Sequence, residues 1–134
     1  MDDTIREALG RDRVIDITTT GRRSGQPRLT EIWYHRLDGR YYLTGTPGPR
    51  SWYANLLAHP RFTFHLKESV TADLPARAIP ITDPARRRAI LERLTGRLGV
   101  AARTEDWIAR SPLVEVRFDL DDAQPASRRR RGGP

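Results

Sequence analysis

Along most of this chain apolar and polar positions alternate in short runs, the period of a half-buried β-strand. Phe62, Phe64 and Leu66 share one face against Arg61, Thr63, His65 and Lys67 on the other. Val14 to Thr20 repeats the pattern through Ile15 and Ile17, and Leu29 to Leu37 is a long strand-like run. Asp38-Gly39 then supplies a two-residue hairpin signal, and Tyr41 to Gly45 returns antiparallel. Val70 to Ile81 reads as a further strand, with a bulge expected around Pro75. In the last strand, Leu113 to Leu120, the residues Val114, Val116, Phe118 and Leu120 fall on one side.

Helical signals are fewer. Residues 3 to 9 form a short helix ended by Gly10, and Trp52 to Ala58 a second, capped by Ser51 and stopped by His59-Pro60. Asp83-Pro84 gives an N-cap with proline in the first turn of a third helix, whose predicted stripe is Ala89, Ile90, Leu94 and Leu98. A fourth spans Glu105 to Ala109. About six strands on short turns, with helices inserted between some of them, argue against a doubly wound sheet, which needs a helix between successive parallel strands. The pattern predicts a mainly β, α+β fold: a small antiparallel barrel with short peripheral helices.

The chain has 134 residues, enough for one core. One domain is expected over residues 1–122, followed by a disordered basic tail, residues 123–134. Of the net charge of +7, Arg128 to Arg131 supply four, so residues 1–127 carry only +3 and the high pI does not by itself argue for a nucleic-acid partner. No run approaches the roughly 18 apolar residues of a membrane span, and Met1-Asp2-Asp3 is acidic where a secretory signal is basic; a cytoplasmic protein without a strong membrane anchor is expected. With no cysteine, disulfides and thiolate chemistry are excluded.

Candidate chemistry concentrates in Thr18-Thr19-Thr20-Gly21-Arg22-Arg23-Ser24-Gly25-Gln26-Pro27-Arg28, between the first two strands. Glycines let a turn bring its amides close to a ligand, and guanidiniums match phosphate or carboxylate oxygens in pairs. The reading is an anion-binding turn. His35, His59 and His65 offer no close pair at ligand spacing, and Asp119, Asp121 and Asp122 lack the rest of a calcium loop, so no metal site is expected. Arg86, Arg87, Arg88, Arg93 and Arg97 are read as a solvated helix face.

This turn, together with Trp52-Tyr53-Ala54-Asn55-Leu56-Leu57-Ala58-His59-Pro60 and the alternation of residues 62 to 66, resembles the deazaflavin-dependent nitroreductase and quinone-reductase family of split β-barrels, of actinobacterial type. The resemblance covers residues 14 to 82 and, more loosely, the last strand. It implies an oxidoreductase binding the deazaflavin coenzyme F-420, whose lactyl-phosphate and oligoglutamate tail is a polyanion. On this reading Arg22, Arg23, Ser24, Gly25, Gln26 and Arg28 hold the tail, Trp52 and Asn55 lie by the cofactor, and the ring sits inside the barrel. Many relatives carry Ser-Lys where this chain has Gly45-Thr46; Arg50 is expected to replace the charge and Thr46 the hydroxyl. Trp33 is assigned to the acceptor pocket, the acceptor being a quinone, nitroaromatic or enone. No catalytic side chain is assigned, because the cofactor carries the hydride. The residues also leave open an FMN-dependent oxidoreductase, or a non-catalytic barrel holding an anionic ligand. A homodimer through Trp33, Tyr41 or Tyr42 stays open too.

Overall fold

The computed structural model describes residues 1–119. Helix α1, Asp3–Arg11, leads into strands β1, Val14–Thr20, β2, Pro27–Leu37, and β3, Arg40–Thr44. Helix α2, Ser51–Ala58, precedes strands β4, Arg61–Leu66, and β5, Ala72–Pro80; helices α3, Pro84–Arg97, and α4, Thr104–Arg110, then lead to β6, Leu113–Phe118. All pairings are antiparallel, and the strands close into a barrel in the order β1-β2-β3-β6-β5-β4. Asp38 and Gly39 both take positive φ, 52° and 77°, the backbone a two-residue hairpin demands. Leu120, Asp121, Asp122 and the tail predicted to be disordered lie outside the described residues.

The barrel is filled. Ile15, Ile17, Leu43, Phe64, Leu66, Leu74 and Val114 point inward and are fully buried. Phe64 sits at the centre, edge-on to Tyr34 at 5.2 Å and to Phe118 at 5.0 Å. Ile5, Ala8 and Leu9 of α1 close one mouth, where the Tyr34 hydroxyl donates to the Leu9 carbonyl at 2.9 Å. Trp52 and Leu56 of α2 close the other. No space remains inside for a cofactor ring, which corrects that expectation: anything bound lies outside the cylinder. A second core forms on the outer face, where Ile90, Leu91, Leu94 and Trp107 pack on Leu37, Tyr42, Ile81 and Leu113.

Local corrections have local causes. Helix α1 runs through Gly10, because the end is set by Asp12, whose N–H donates to Ala8 O. Pairing along β5 is continuous from Arg77 to Ala72, so there is no bulge at Pro75. The proline is tolerated because its carbonyl faces the end of the β6 ladder, accepting from Asp119 N–H at 2.9 Å, so the missing donor falls where pairing stops. The buried stripe of α3 is Ile90, Leu91, Leu94 and Thr95, with Ala89 exposed. That rotation turns Arg87 inward, out of the solvated face. Its guanidinium donates to the carbonyls of Ile81 (3.1 Å), Trp107 (3.3 Å), Ile108 (2.8 Å) and Ser111 (2.8 Å) and so pins α4 and the start of β6 to α3.

Replacing Arg87 by Met strands these carbonyls, and a loss of about 3 kcal/mol in a urea titration is expected; a loss below about 0.5 kcal/mol would remove Arg87 as the pin. A pH effect comes from His35, which burial first, and the Arg97 guanidinium second, hold below its ordinary value of 6.5. Between the folded and unfolded values the unfolded chain binds more protons, so stability falls as pH drops below 6.5. His35→Gln should lose less melting temperature than the wild type between pH 8 and pH 5; equal losses would refute the linkage.

Candidate active site

Between β1 and β2 the chain makes a closed turn. Gly21 N–H donates to Gln26 O at 2.8 Å, and Gly25 N–H returns to Gly21 O at 2.9 Å. Gly25 takes φ 70°, a conformation glycine adopts without strain. Gly21 serves for a different reason: a Cβ there would stand 2.5 Å from Ser24 Oγ and 3.3 Å from Gln26 O, so the hydroxyl holds its position only because the side chain is absent. That hydroxyl accepts from Gln26 N–H at 3.1 Å and from Arg28 Nη2 at 3.5 Å.

One buried amide ties this turn to α2. Asn55 Oδ1 accepts from Arg22 N–H at 3.0 Å, and its Nδ2 donates to Thr19 Oγ1 at 3.2 Å. Asn55 is 5% exposed and Thr19 2%, so the bonds form away from water. The turn therefore has a fixed position against the helix.

Turn, β2 and α2 together enclose an open cleft of about 380 Å³. Arg22, Arg23, Ser24 and Arg28 line one side, Trp52 and Asn55 the other. No acidic residue borders it, and the Arg22 and Arg23 guanidiniums have no hydrogen-bond or ion-pair partner among the described residues. The N–H groups of Arg23 and Ser24 likewise have no acceptor among them. Ser51 does not cap α2: the N-cap is Arg50 and no side chain satisfies the first turn, so those amides open beside Ser51 and Trp52 at the cleft. The cleft thus presents three arginines and no carboxylate.

Six of the residues expected at the site thus meet: Arg22, Arg23, Ser24, Arg28, Trp52 and Asn55. Gly25 and Gln26 shape the turn through main-chain bonds. Thr46 and Arg50 are not brought to the cleft. The Arg50 guanidinium folds back over Gly45 and donates to Thr46 Oγ1 at 2.7 Å and to the carbonyls of Thr46, Gly48 and Pro49, so the two expected substitutes for the Ser-Lys pair bind each other. Trp33 pairs with Val14, whereas the turn follows the Thr20–Pro27 pair; along a strand that separation is about 20 Å. Within one chain, Trp33 does not face the cleft. Tyr42 is buried and Tyr41 stacks edge-on against Phe118 at 5.5 Å. Leu29 and Thr30, and Ser51, which was expected only as a helix cap, also line the cleft. The alternation that sends Ile15 and Ile17 inward also sends Thr19 inward, a signal for the Asn55 contact.

Among the described residues no group of three or more His, Asp or Glu side chains is placed to hold a metal. His65 bridges Thr18 Oγ1 at 2.6 Å and Asp73 Oδ1 at 2.7 Å. No helix there is long and apolar enough to cross a membrane.

Comparison with known proteins gives concordant results. The sequence model of the family described as F420H(2)-dependent quinone reductase matches residues 3–97. A conserved hypothetical protein of Mycobacterium tuberculosis is 21% identical, with a TM-score of 0.65 over 89% of this chain and 81% of the other. A FAD-binding protein of Mesorhizobium loti is 16% identical (TM-score 0.61, 89% of each chain), and an F420 reductase 20% identical (TM-score 0.56, 84% of this chain, 91% of that one). At these identities the structures establish the shared split-barrel fold.

Asn55→Ala should destabilise the protein by about 1–3 kcal/mol, since it leaves a buried hydroxyl and an amide without partners. Asn55→Asp keeps the acceptor for Arg22 N–H but puts a negative charge in the cleft, so it should weaken binding of the intact coenzyme more than it lowers the melting temperature. If Asn55→Asp binds as the wild type does, the amide is not beside the anion.

Proposed function

The chain belongs to the family of quinone reductases that depend on reduced coenzyme F-420, and from that premise we propose that it transfers hydride from the coenzyme to a small electrophilic acceptor, a quinone in the first instance. It is an oxidoreductase of coenzyme F-420. The observation that carries the finer reading is the cleft whose three guanidiniums face no acid.

The donor set fits the coenzyme's tail. Arg22 and Arg23 bind the phosphate together with the Ser24 hydroxyl and the two open amides, and Arg28 meets carboxylates further along. Charge-assisted hydrogen bonds of this kind contribute about 1.5–3 kcal/mol each. The backbone that carries these side chains is set before binding by the Asn55 clamp, which lowers part of the ordering cost. Once bound, the reduced deazaflavin supplies the hydride. Trp52 and Leu29 supply the apolar part of the cleft lining, against which a flat ring would be oriented. FMN, with one phosphate and no carboxylates, engages fewer of the same cations.

Fluorescence titration of the purified protein tests this. Coenzyme F-420 should bind, and Arg22→Ala with Arg23→Ala should weaken intact coenzyme at least about tenfold while leaving the tail-less chromophore within about twofold. Reduced coenzyme should then be oxidised by menadione. Equal losses for intact and tail-less forms, or tighter binding of FMN than of coenzyme F-420, would overturn the assignment of the tail to the arginine turn.

A further inference from the structure

A second basic depression lies at the far end of the β1–β2 ladder. It measures about 510 Å³ and is lined in part by Trp33, an exposed large hydrophobic residue, 53% accessible. Arg11, Arg13, His35, Arg36 and Arg97 line the same depression. This gathering of four arginines with an exposed aromatic is not accounted for by the coenzyme cleft.

Several of these groups are held in place by the fold. Gly10 has no side chain, and a Cβ there would lie 3.3 Å from Arg36 Nη1, so the glycine lets that guanidinium lie against α1. Arg97 Nη1 donates to Arg36 O at 2.9 Å, and Arg11 Nη2 to Ser69 Oγ at 3.1 Å. The Arg13 and Arg36 guanidiniums themselves make no hydrogen bond or close ion pair among the described residues. The bordering acids are already engaged: Asp12 accepts from Ser69 N–H and Oγ, and Glu68 from the N–H groups of Arg13 and Val14. Asp12, 3.8 Å from Arg11 Nε, and Glu68, beside Arg13, offset part of the charge, and the four arginines leave the depression net positive beside an exposed indole; Arg97 also helps to hold His35 neutral.

We propose that this depression is a second binding site, separate from the coenzyme cleft, for a planar aromatic ring carrying a phosphate or carboxylate: the ring stacks on Trp33, and the anion meets Arg13 and Arg36. An indole face and guanidinium forks recognise the two halves of such a ligand independently. The about 20 Å between Trp33 and the arginine turn keeps the two sites apart within one chain.

Calorimetric titration with AMP and with 1-naphthoate tests the site, with adenosine and inorganic phosphate as half-ligands. One of the two anions should bind once per chain with a dissociation constant below about 1 mM, and each half-ligand at least about tenfold more weakly. AMP alone would identify phosphate as the preferred anion, 1-naphthoate alone carboxylate. Trp33→Ala, and Arg13→Ala with Arg36→Ala, should each lower affinity about tenfold, and Trp33→Phe should retain most of it. Coenzyme F-420 titrations of the same variants should be unchanged, showing that the fold and the first site are intact. The proposal is overturned if neither anion binds, if the variants bind as the wild type does, or if saturating coenzyme F-420 displaces the probe.

Discussion

A single carboxamide joins the parts on which the site depends. Asn55 accepts from the turn and donates to the end of β1, so the helix that plugs one mouth of the barrel also fixes the backbone that carries the arginines. Without this link the turn would be a surface loop on a hairpin, free to sample many arrangements of its cations. With it, burial of Trp52 and Leu56 in the core is coupled to the position of Arg22. Packing energy is in this way converted into orientation at the surface.

Charge placement divides the molecule further. Over the helical face, arginines meet carboxylates: Arg40 and Arg86 converge on buried Glu115, Arg88 on Glu105, Arg93 on Asp38, and Arg110 on Asp106. At the turn no acid is supplied. The net charge of +7 is therefore spread unevenly, and at the cleft the arginines have no acid beside them.

What the sequence discloses follows from how local the physics is. The alternation of Phe62, Phe64 and Leu66, the Asp38-Gly39 hairpin and the Asp83 cap are each decided within a few residues, and each stands in the structure. The turn was legible for the same reason, since its glycines and arginines are contiguous. Arg87 was not, because the carbonyls it gathers come from separate segments brought together only by α3 packing on the barrel. Arg50 shows the opposite failure. A cation placed correctly by sequence before a helix is consumed by its own loop, whose short span leaves the carbonyls of Thr46, Gly48 and Pro49 within reach. Trp33 follows from register, which the order of residues does not reveal.

The filled interior has a kinetic corollary. Because Phe64 and its neighbours occupy the cylinder and helices stop both mouths, the proposed ligand would dock on the exterior cleft and leave the core packing in place. Capture is then an encounter problem, governed by how far the arginine field reaches through the ionic atmosphere, about 8 Å at physiological salt. Association, more than residence, is the quantity that ionic strength controls in such a design.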